Sequence, residues 1–139
     1  MTHSKSGITL IEICVALAIV AIISGLAVTD FTAQAPHRQL RESSRHLVGQ
    51  LRLARQRAIA DGKDTTIDFL PEEMAYNALG IRNNLPNHVA FDPTKQLERG
   101  IIFQPNGTIK PPTRTIFLKN SRDESVEITV NVTGRVKIK

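Results

Sequence analysis

The feature that most constrains this chain is an apolar run near its N-terminus, ITLIEICVALAIVAIISGLAV, from Ile8 to Val28. A helix of this length would be about 31 Å long at ~1.5 Å per residue. The hydrocarbon core of a bilayer is about 30 Å thick. The sequence therefore predicts one membrane-spanning helix within segment 8–36.

Glu12 is the charged residue of this run. An ionised carboxylate at membrane depth costs about 2.5–3.5 kcal/mol on insertion scales, so it needs a positive partner. Cleavage between Gly7 and Ile8 would remove a basic leader, residues 1–7, and would create an amine. Glu12 would then be the fifth residue of the shortened chain and could pair with its own amine or with that of a neighbouring subunit. Such pairing would set axial register in a helix bundle.

The junction Gly7-Ile8-Thr9-Leu10-Ile11-Glu12 resembles the class III signal of type IV pilins and type II secretion pseudopilins. The resemblance implies that prepilin peptidase cleaves between Gly7 and Ile8 and methylates the new N-terminus at Ile8. It also implies that Glu12 serves filament assembly. Ile8 stands where most members of the family have phenylalanine or methionine.

Other membrane segments fit this region less well. A secretory signal would use Ala33-Gln34-Ala35 as its cleavage site, but Pro36 directly follows it and Glu12 interrupts the apolar part. A lipoprotein signal needs small residues before its cysteine, whereas Glu12 and Ile13 precede Cys14. A plain single-span anchor, or an anchored sensor or adhesin that never polymerises, remains as an alternative.

The rest of the chain is long enough for one small domain, predicted over 37–139. Cys14 is the sole cysteine, so the domain has no internal disulfide and depends on its apolar core. Apolar residues at three- and four-residue spacings predict an amphipathic helix over 37–61. Gly62 is expected to end this helix, and Pro36 to introduce a kink or loosened turn near its start. The predicted apolar stripe consists of Leu40, Leu47, Val48, Leu51, Ala54, Ala58 and Ile59. Arginines occupy the other faces of this helix and are expected to be available to partners.

Short β segments separated by turns are predicted over 64–139. The candidate strands are Thr65–Leu70, His88–Phe91, Gly100–Gln104, Thr115–Lys119, Val126–Val132 and Arg135–Lys139. Asn106-Gly107, Ser121–Glu124 and Thr133-Gly134 are predicted to be turns. The stretch Pro71–Leu97 is weakly patterned, so we expect loops there, with room for one edge strand.

These features together predict an α+β fold, in which a long N-terminal helix with a membrane half and an amphipathic half packs on a C-terminal antiparallel β domain. The helix sequence LVGQLRLARQRAI, the Pro105-Asn106-Gly107 turn and the closing TGRVK resemble minor pseudopilins of the GspH and FimT type. The resemblance implies a pilin-like fold.

No pattern in the sequence predicts catalysis, and we expect a protein that is not an enzyme and holds no cofactor. The histidines are His3, His37, His46 and His88, and their spacing makes no metal site. The sequence also lacks a nucleophile elbow and a phosphate-binding loop.

The chain has a formal net charge of +5, and its C-terminus carries Arg135, Lys137 and Lys139. Gly134-Arg135-Val136-Lys137 resembles the Gly-Arg-x-Arg tail of FimT-type pilins that bind DNA for uptake. The resemblance makes these three cations candidate DNA-binding residues. The alternative is a half-buried strand, because Val136 and Ile138 alternate with the cations.

The expected function is that of a minor pseudopilin, which takes part in the initiation or tip assembly of the filament of a type II secretion system. The alternative is a FimT-like minor type IV pilin that binds DNA for transformation. Either would sit in the bacterial inner membrane with residues 37–139 in the periplasm. Expected partners are other pilin or pseudopilin subunits, prepilin peptidase, the inner-membrane assembly platform, membrane lipid and, for the alternative, DNA.

Overall fold

The computed structural model describes residues 9–33, 35–95, 97 and 100–139, with backbone alone over 25–33. The chain divides into two units, one extending to Ala35 and the other covering Pro36–Lys139. The first unit contains helix α1, Leu10–Ala33. The leader and Ile8, and with them the predicted cleavage site, lie outside the described residues.

Helix α1 begins with a capping contact at Thr9. The Glu12 main-chain N–H donates to Thr9 Oγ1 at 3.3 Å and to the Thr9 carbonyl at 3.1 Å. A threonine oxygen in this position satisfies one of the main-chain donors that a helix start leaves unpaired. Within the described residues, no helix meets the length and apolarity expected of a membrane span.

The second unit begins with helix α2, which the structure assigns to Ala35–Asp61 and so confirms the helix predicted over 37–61. Gly62 follows at φ 63°, the left-handed conformation that commonly ends a helix at glycine. Leu47, Leu51, Ala54 and Ala58 are fully buried. Their three- and four-residue spacing puts them on one face, and that face covers the β-sheets.

The β part of this unit consists of two four-stranded antiparallel sheets. Its strands are β1 Thr65–Leu70, β2 Ala75–Ala78, β3 Ile81–Asn84, β4 Val89–Phe91, β5 Gly100–Phe103, β6 Arg114–Asn120, β7 Ser125–Val130 and β8 Val136–Ile138. One sheet has the order β3-β2-β1-β5 and the other β4-β6-β7-β8. Buried residues of α2 and both sheets form one apolar cluster, which extends from Leu40 to Val136. The architecture is therefore the α+β fold expected from the sequence.

Each strand predicted from the sequence is present, and Thr65–Leu70 has the predicted bounds. The expectation for 71–97 was wrong in part, because this stretch contains β2 and β3 in addition to β4. The segment AYNALGIRNN forms a hairpin that its sequence does not indicate. Both turn residues, Leu79 and Gly80, have positive φ, but leucine stands where such turns usually have asparagine. A strand as polar as β3 also lacks the alternating pattern that identifies a half-buried strand.

The three predicted turns are confirmed by their hydrogen bonds. Gly107 N–H donates to the Gln104 carbonyl at 2.8 Å, and Gly134 N–H donates to the Asn131 carbonyl at 2.7 Å. The turn between β6 and β7 is organised by the buried Asn120, whose Oδ1 accepts the main-chain N–H groups of Arg122 and Glu124.

The apolar stripe of α2 was predicted one residue too long. Ile59 is 50% exposed, whereas Ala58 is fully buried. Consecutive helical residues are about 100° apart at 3.6 residues per turn, so Ile59 is turned away from the buried face. It lies on the flank of the helix instead, where it lines a cleft described below.

Candidate functional site

The apolar side chains of α1 that the structure describes, over 10–24, are exposed. Leu10 is 81% exposed, Ile11 71% and Ile22 66%. A helix that is apolar all round is stable when lipid or other apolar helices cover it. This surface is therefore the first candidate site, and its chemistry is that of a packing surface for lipid or other apolar helices.

Glu12 lies in the first turn of α1. A carboxylate there also interacts favourably with the positive end of the helix dipole. Thr9-Leu10-Ile11-Glu12 matches the capping-box pattern, in which a threonine is followed three residues later by glutamate or glutamine. The sequence reasoning missed this motif although it lies inside the quoted junction. The observed half of this motif is the cap that Thr9 provides, and the role of Glu12 in subunit register stays a prediction.

Helix α2 carries arginines along one flank. Arg41, Arg45 and Arg52 recur at spacings of four and seven residues, which puts them on the same side of the helix. All three are exposed, as expected for a helix that packs by its apolar stripe. Glu42, the neighbouring acid on α2, is exposed as well.

Arg55 departs from the expectation that these arginines are available on the surface. It is partly buried, and its Nε–H donates to the Gly107 carbonyl at 2.8 Å. Side-chain atoms of Arg55 also lie against Gly134, where they would be 2.8 Å and 3.1 Å from a β-carbon. Arg55 thus connects α2 to the turn before Ile109 and to the turn before β8.

This contact positions one of the candidate DNA-binding residues. Arg52, Arg55 and Arg135 line a cleft of about 290 Å³ together with Gln56, Ile59, Gly134 and Val136. Within the described part of the chain, neither Arg52 nor Arg135 is within ion-pair distance of a carboxylate. The structure therefore brings two helix arginines to Arg135, which the sequence had placed in a separate cluster.

Lys137 and Lys139 are exposed, and Val136 is buried. Ile138 is 48% exposed as well, so the alternation expected of a half-buried strand is present at Val136 but not at Ile138. The turn itself requires glycine at position 134, because this residue adopts φ 74° and a β-carbon there would collide with the Gly107 carbonyl oxygen. The glycine of the Gly-Arg-x-Lys sequence is therefore explained by the turn without reference to DNA.

A second polar contact connects the start of α2 to the β6–β7 turn. His37 Nδ1 lies 3.2 Å from Glu124 Oε2, and Asn120 Nδ2 donates to the same oxygen at 2.6 Å. The Asn120 hydrogen bond and then the His37 contact hold the pKa of Glu124 below its ordinary value. The role of this contact is structural.

A polar cleft of about 390 Å³ lies between α2 and β3 and is lined by Gln39, Glu42, Ser43, His46, Tyr76, Asn84, Leu85 and Pro86. His46 Nδ1 and the Tyr76 hydroxyl are 2.7 Å apart. Burial raises the pKa of Tyr76 to about 12, so the hydroxyl is neutral. Among the described residues, no group of three or more histidine, cysteine or acidic side chains could hold a metal ion.

The fold described above is pilin-like: a helix packed on antiparallel β-sheets. The particular fold is that of minor pseudopilins of the GspH/FimT type. Solved structures of two proteins share it with the chain. The minor pilin FimU of Pseudomonas aeruginosa superposes with a TM-score of 0.60 at 16% identity, over 74% of this chain and 90% of FimU. The second is the minor pseudopilin EpsH of the type 2 secretion system of Vibrio cholerae, which superposes with a TM-score of 0.59 at 12% identity, over 73% of this chain and 96% of EpsH.

FimU in a second crystal form gives a TM-score of 0.57. No protein-family profile matches the sequence, and no curated protein is significantly similar to it. At these identities the likeness concerns the fold.

Proposed function

We propose that this chain is a minor pseudopilin, a structural subunit that takes part in the initiation or tip assembly of a type II secretion pseudopilus. The precursor is held in the bacterial inner membrane by the apolar run from Ile8 to Val28, with residues 37–139 in the periplasm. Prepilin peptidase cleaves between Gly7 and Ile8 and methylates Ile8. The subunit then leaves the membrane for the filament through contacts of its apolar helix.

The observation that carries this proposal is a helix whose apolar side chains are uncovered, on a chain with the fold of filament subunits. FimU is a type IV minor pilin, and EpsH is a minor pseudopilin of a type 2 secretion system. Other pilin or pseudopilin subunits are therefore the first expected partners, with the peptidase and the inner-membrane assembly platform upstream.

The role of Glu12 is tested by two substitutions that separate charge from capping. Glu12→Gln keeps a side chain that fits the capping box but cannot pair with an amine, whereas Glu12→Ala loses both. We expect both variants to be cleaved and neither to enter filaments. The assays are the size of the processed chain and its recovery with sheared filaments, with Glu42→Gln as a matched control on α2. Normal assembly of Glu12→Gln would reduce Glu12 to a capping residue.

Deletion of the gene distinguishes the secretion system from the pilus. For a pseudopilin, we expect proteins normally secreted to accumulate in the periplasm while surface piliation and DNA uptake stay normal. The converse result, loss of piliation or DNA uptake with normal secretion, would assign the chain to a type IV pilus. A complementing copy with Gly7→Glu, which we expect to block cleavage, should not restore the lost function.

The second candidate function is DNA binding by a FimT-like minor pilin. Its favouring observation is the cleft that joins Arg135 to Arg52 and Arg55 without a carboxylate partner for the two exposed arginines. Arginine and lysine bind phosphate largely through charge, so such binding would weaken steeply with salt. No aromatic side chain lines this cleft, so base stacking would not add to it.

Gel retardation of a short duplex by residues 36–139 across a salt series tests this candidate. Arg135→Gln with Lys137→Gln should abolish the retardation, and Arg52→Gln should weaken it. The control is Arg82→Gln with Lys110→Gln, which removes the same charge from surfaces paired to Glu73 and Asp64. Absence of retardation at low salt, or equal loss in the control, would reject DNA binding.

A further inference from the structure

The cleft between α2 and the turn before β8, called the arginine cleft below, concentrates positive charge. Arg52, Arg55 and Arg135 all line it, and none of the described residues that line it is acidic. Like charges repel one another, so gathering them around one cleft has an electrostatic cost that a bound anion offsets. The arrangement is therefore that of an anion site.

Several surface cations elsewhere on the same unit have acidic partners within the chain. Three ion pairs have nitrogen–oxygen distances of 2.7–2.9 Å: Arg57–Asp61, Arg82–Glu73 and Lys110–Asp64. Arg52 and Arg135 are exposed, and among the described residues neither is within ion-pair distance of a carboxylate. Their guanidinium donors are therefore available to a partner outside the chain.

Arg55 is held in place before any partner binds. Its Nε–H donates to the Gly107 carbonyl at 2.8 Å, and its side chain is partly buried. A guanidinium has five N–H donors in one plane, and this hydrogen bond uses one of them. Because Arg55 is already ordered, a partner that binds beside it costs little of its side-chain freedom.

Apolar groups next to these arginines favour a protein side chain over a nucleic-acid phosphate. Ile59 is 50% exposed where it lines the cleft, and Val136 lines it as well. An aspartate or glutamate side chain has methylene groups that can cover such residues, whereas a phosphate group has none. The cations of the cleft are also all arginines, the charged residue that is enriched at protein–protein interfaces, where lysine is depleted.

The size of the cleft agrees with a single side chain as its occupant. Its volume of about 290 Å³ lies just below the ~300–1,000 Å³ that is typical of small-molecule sites. A carboxylate accepts two parallel hydrogen bonds from an arginine, which makes this pair specific in geometry as well as in charge.

We propose that the arginine cleft binds an aspartate or glutamate side chain of a neighbouring filament subunit. The carboxylate accepts hydrogen bonds from Arg52 and Arg135, and its methylene groups pack against Ile59. The inference rests on the proposed function as a filament subunit and names one contact that this function uses.

Such a contact adds selectivity to filament assembly. The attraction between apolar helices is non-directional, so it distinguishes poorly between one neighbouring subunit and another. A charge pair favours a neighbour with an acid at the matching position and disfavours one with a cation there. A single exposed pair is weak in solution, but other contacts within a filament raise the effective concentration of its partner.

Filament recovery of the full chain provides the first test. Arg52→Gln with Arg135→Gln removes both exposed cations and leaves the Arg55 contact intact. We expect recovery with sheared filaments to fall at least about tenfold, which corresponds to ~1.4 kcal/mol. Arg82→Gln with Lys110→Gln removes the same charge at paired positions and should enter filaments normally. Thermal melting of both double variants checks that they fold.

Photo-crosslinking in filaments identifies the partner. p-Benzoylphenylalanine replaces Gln56, which lines the cleft, and in a control it replaces Leu53, which is 45% exposed and does not line it. We expect position 56 to attach to another filament subunit, at a peptide that contains aspartate or glutamate. Changing that acid to arginine should lower recovery of this chain in filaments, and Arg52→Glu with Arg135→Glu should restore it.

The outcomes distinguish this inference from the proposed function. If neither the wild type nor the Arg82 and Lys110 control enters filaments, the proposed function fails and the inference fails with it. If the variant without Arg52 and Arg135 enters as well as the wild type, the inference alone fails. Loss of DNA retardation by that same variant would then assign the cleft to DNA. An adduct on a peptide without an acid, or no restoration by the charge exchange, would also overturn the inference.

Discussion

Gly134→Ala is the substitution for which the structure makes the strongest quantitative prediction. Gly134 adopts φ 74°, and an added β-carbon would meet the Gly107 carbonyl oxygen and the Arg55 side chain. This collision is relieved only if the Gly134 turn and the Gly107 carbonyl move apart. Such a movement would break the hydrogen bond from Arg55 Nε to the Gly107 carbonyl.

Two contributions set the magnitude. An L-residue in the left-handed region costs roughly 1–2 kcal/mol. Loss of a hydrogen bond to a charged group costs roughly 1.5–3 kcal/mol. Together they lower the free energy of unfolding by about 2.5–5 kcal/mol, a large part of the 5–15 kcal/mol typical of a domain.

Gly62→Ala is the matched control. Gly62 has a similar φ of 63°, but an added β-carbon would have nothing within 4 Å. It therefore carries the backbone cost of about 1–2 kcal/mol alone. Both variants are measured by urea denaturation of residues 36–139, which contain the whole apolar cluster. If Gly134→Ala costs no more than Gly62→Ala, the interpretation of Arg55 as a connection between α2 and the two turns is wrong.

Three further predictions concern stability. Glu124→Gln should destabilise residues 36–139 at pH 7, because the folded pKa of Glu124 is lowered and its contribution is present above the unfolded value of 4.5. That difference should disappear as pH falls below 4.5 through the lowered folded pKa, as urea midpoints at both ends of this range would show. Leu47→Ala should cost about 2.7–5 kcal/mol by urea denaturation, whereas Leu53→Ala, 45% exposed in the wild type, should cost under about 1. Arg57→Gln should change stability by less than about 0.5 kcal/mol, because its ion pair with Asp61 is exposed; a larger thermal shift would contradict this.

The sequence predicts those parts of this fold that depend on local pattern. The α2 stripe from Leu40 to Ala58 follows from helical periodicity, and β1 follows from the alternation in Thr65–Leu70. The β2–β3 hairpin could not be predicted in this way, because Leu79 takes positive φ without being glycine or asparagine. The positive φ of Leu79 depends on the folded structure, and no local sequence pattern predicts it.

The candidate sites show the same division. Glu12 is conspicuous in the sequence, because a carboxylate in an apolar run needs an explanation. The cleft around Arg135 cannot be recognised in the sequence, because the whole β part of the chain separates Arg52 and Arg55 from Arg135. Arg55 was grouped with exposed arginines for the same reason.

The location of the single cysteine has a consequence for biogenesis. Cys14 lies on α1 and is exposed, whereas the apolar core lies wholly within Pro36–Lys139. Residues 36–139 can therefore reach their native state without thiol oxidation. If the proposed periplasmic location is right, the level of the protein should be the same in cells that lack periplasmic disulfide-forming enzymes, and reducing agents should leave its resistance to proteases unchanged.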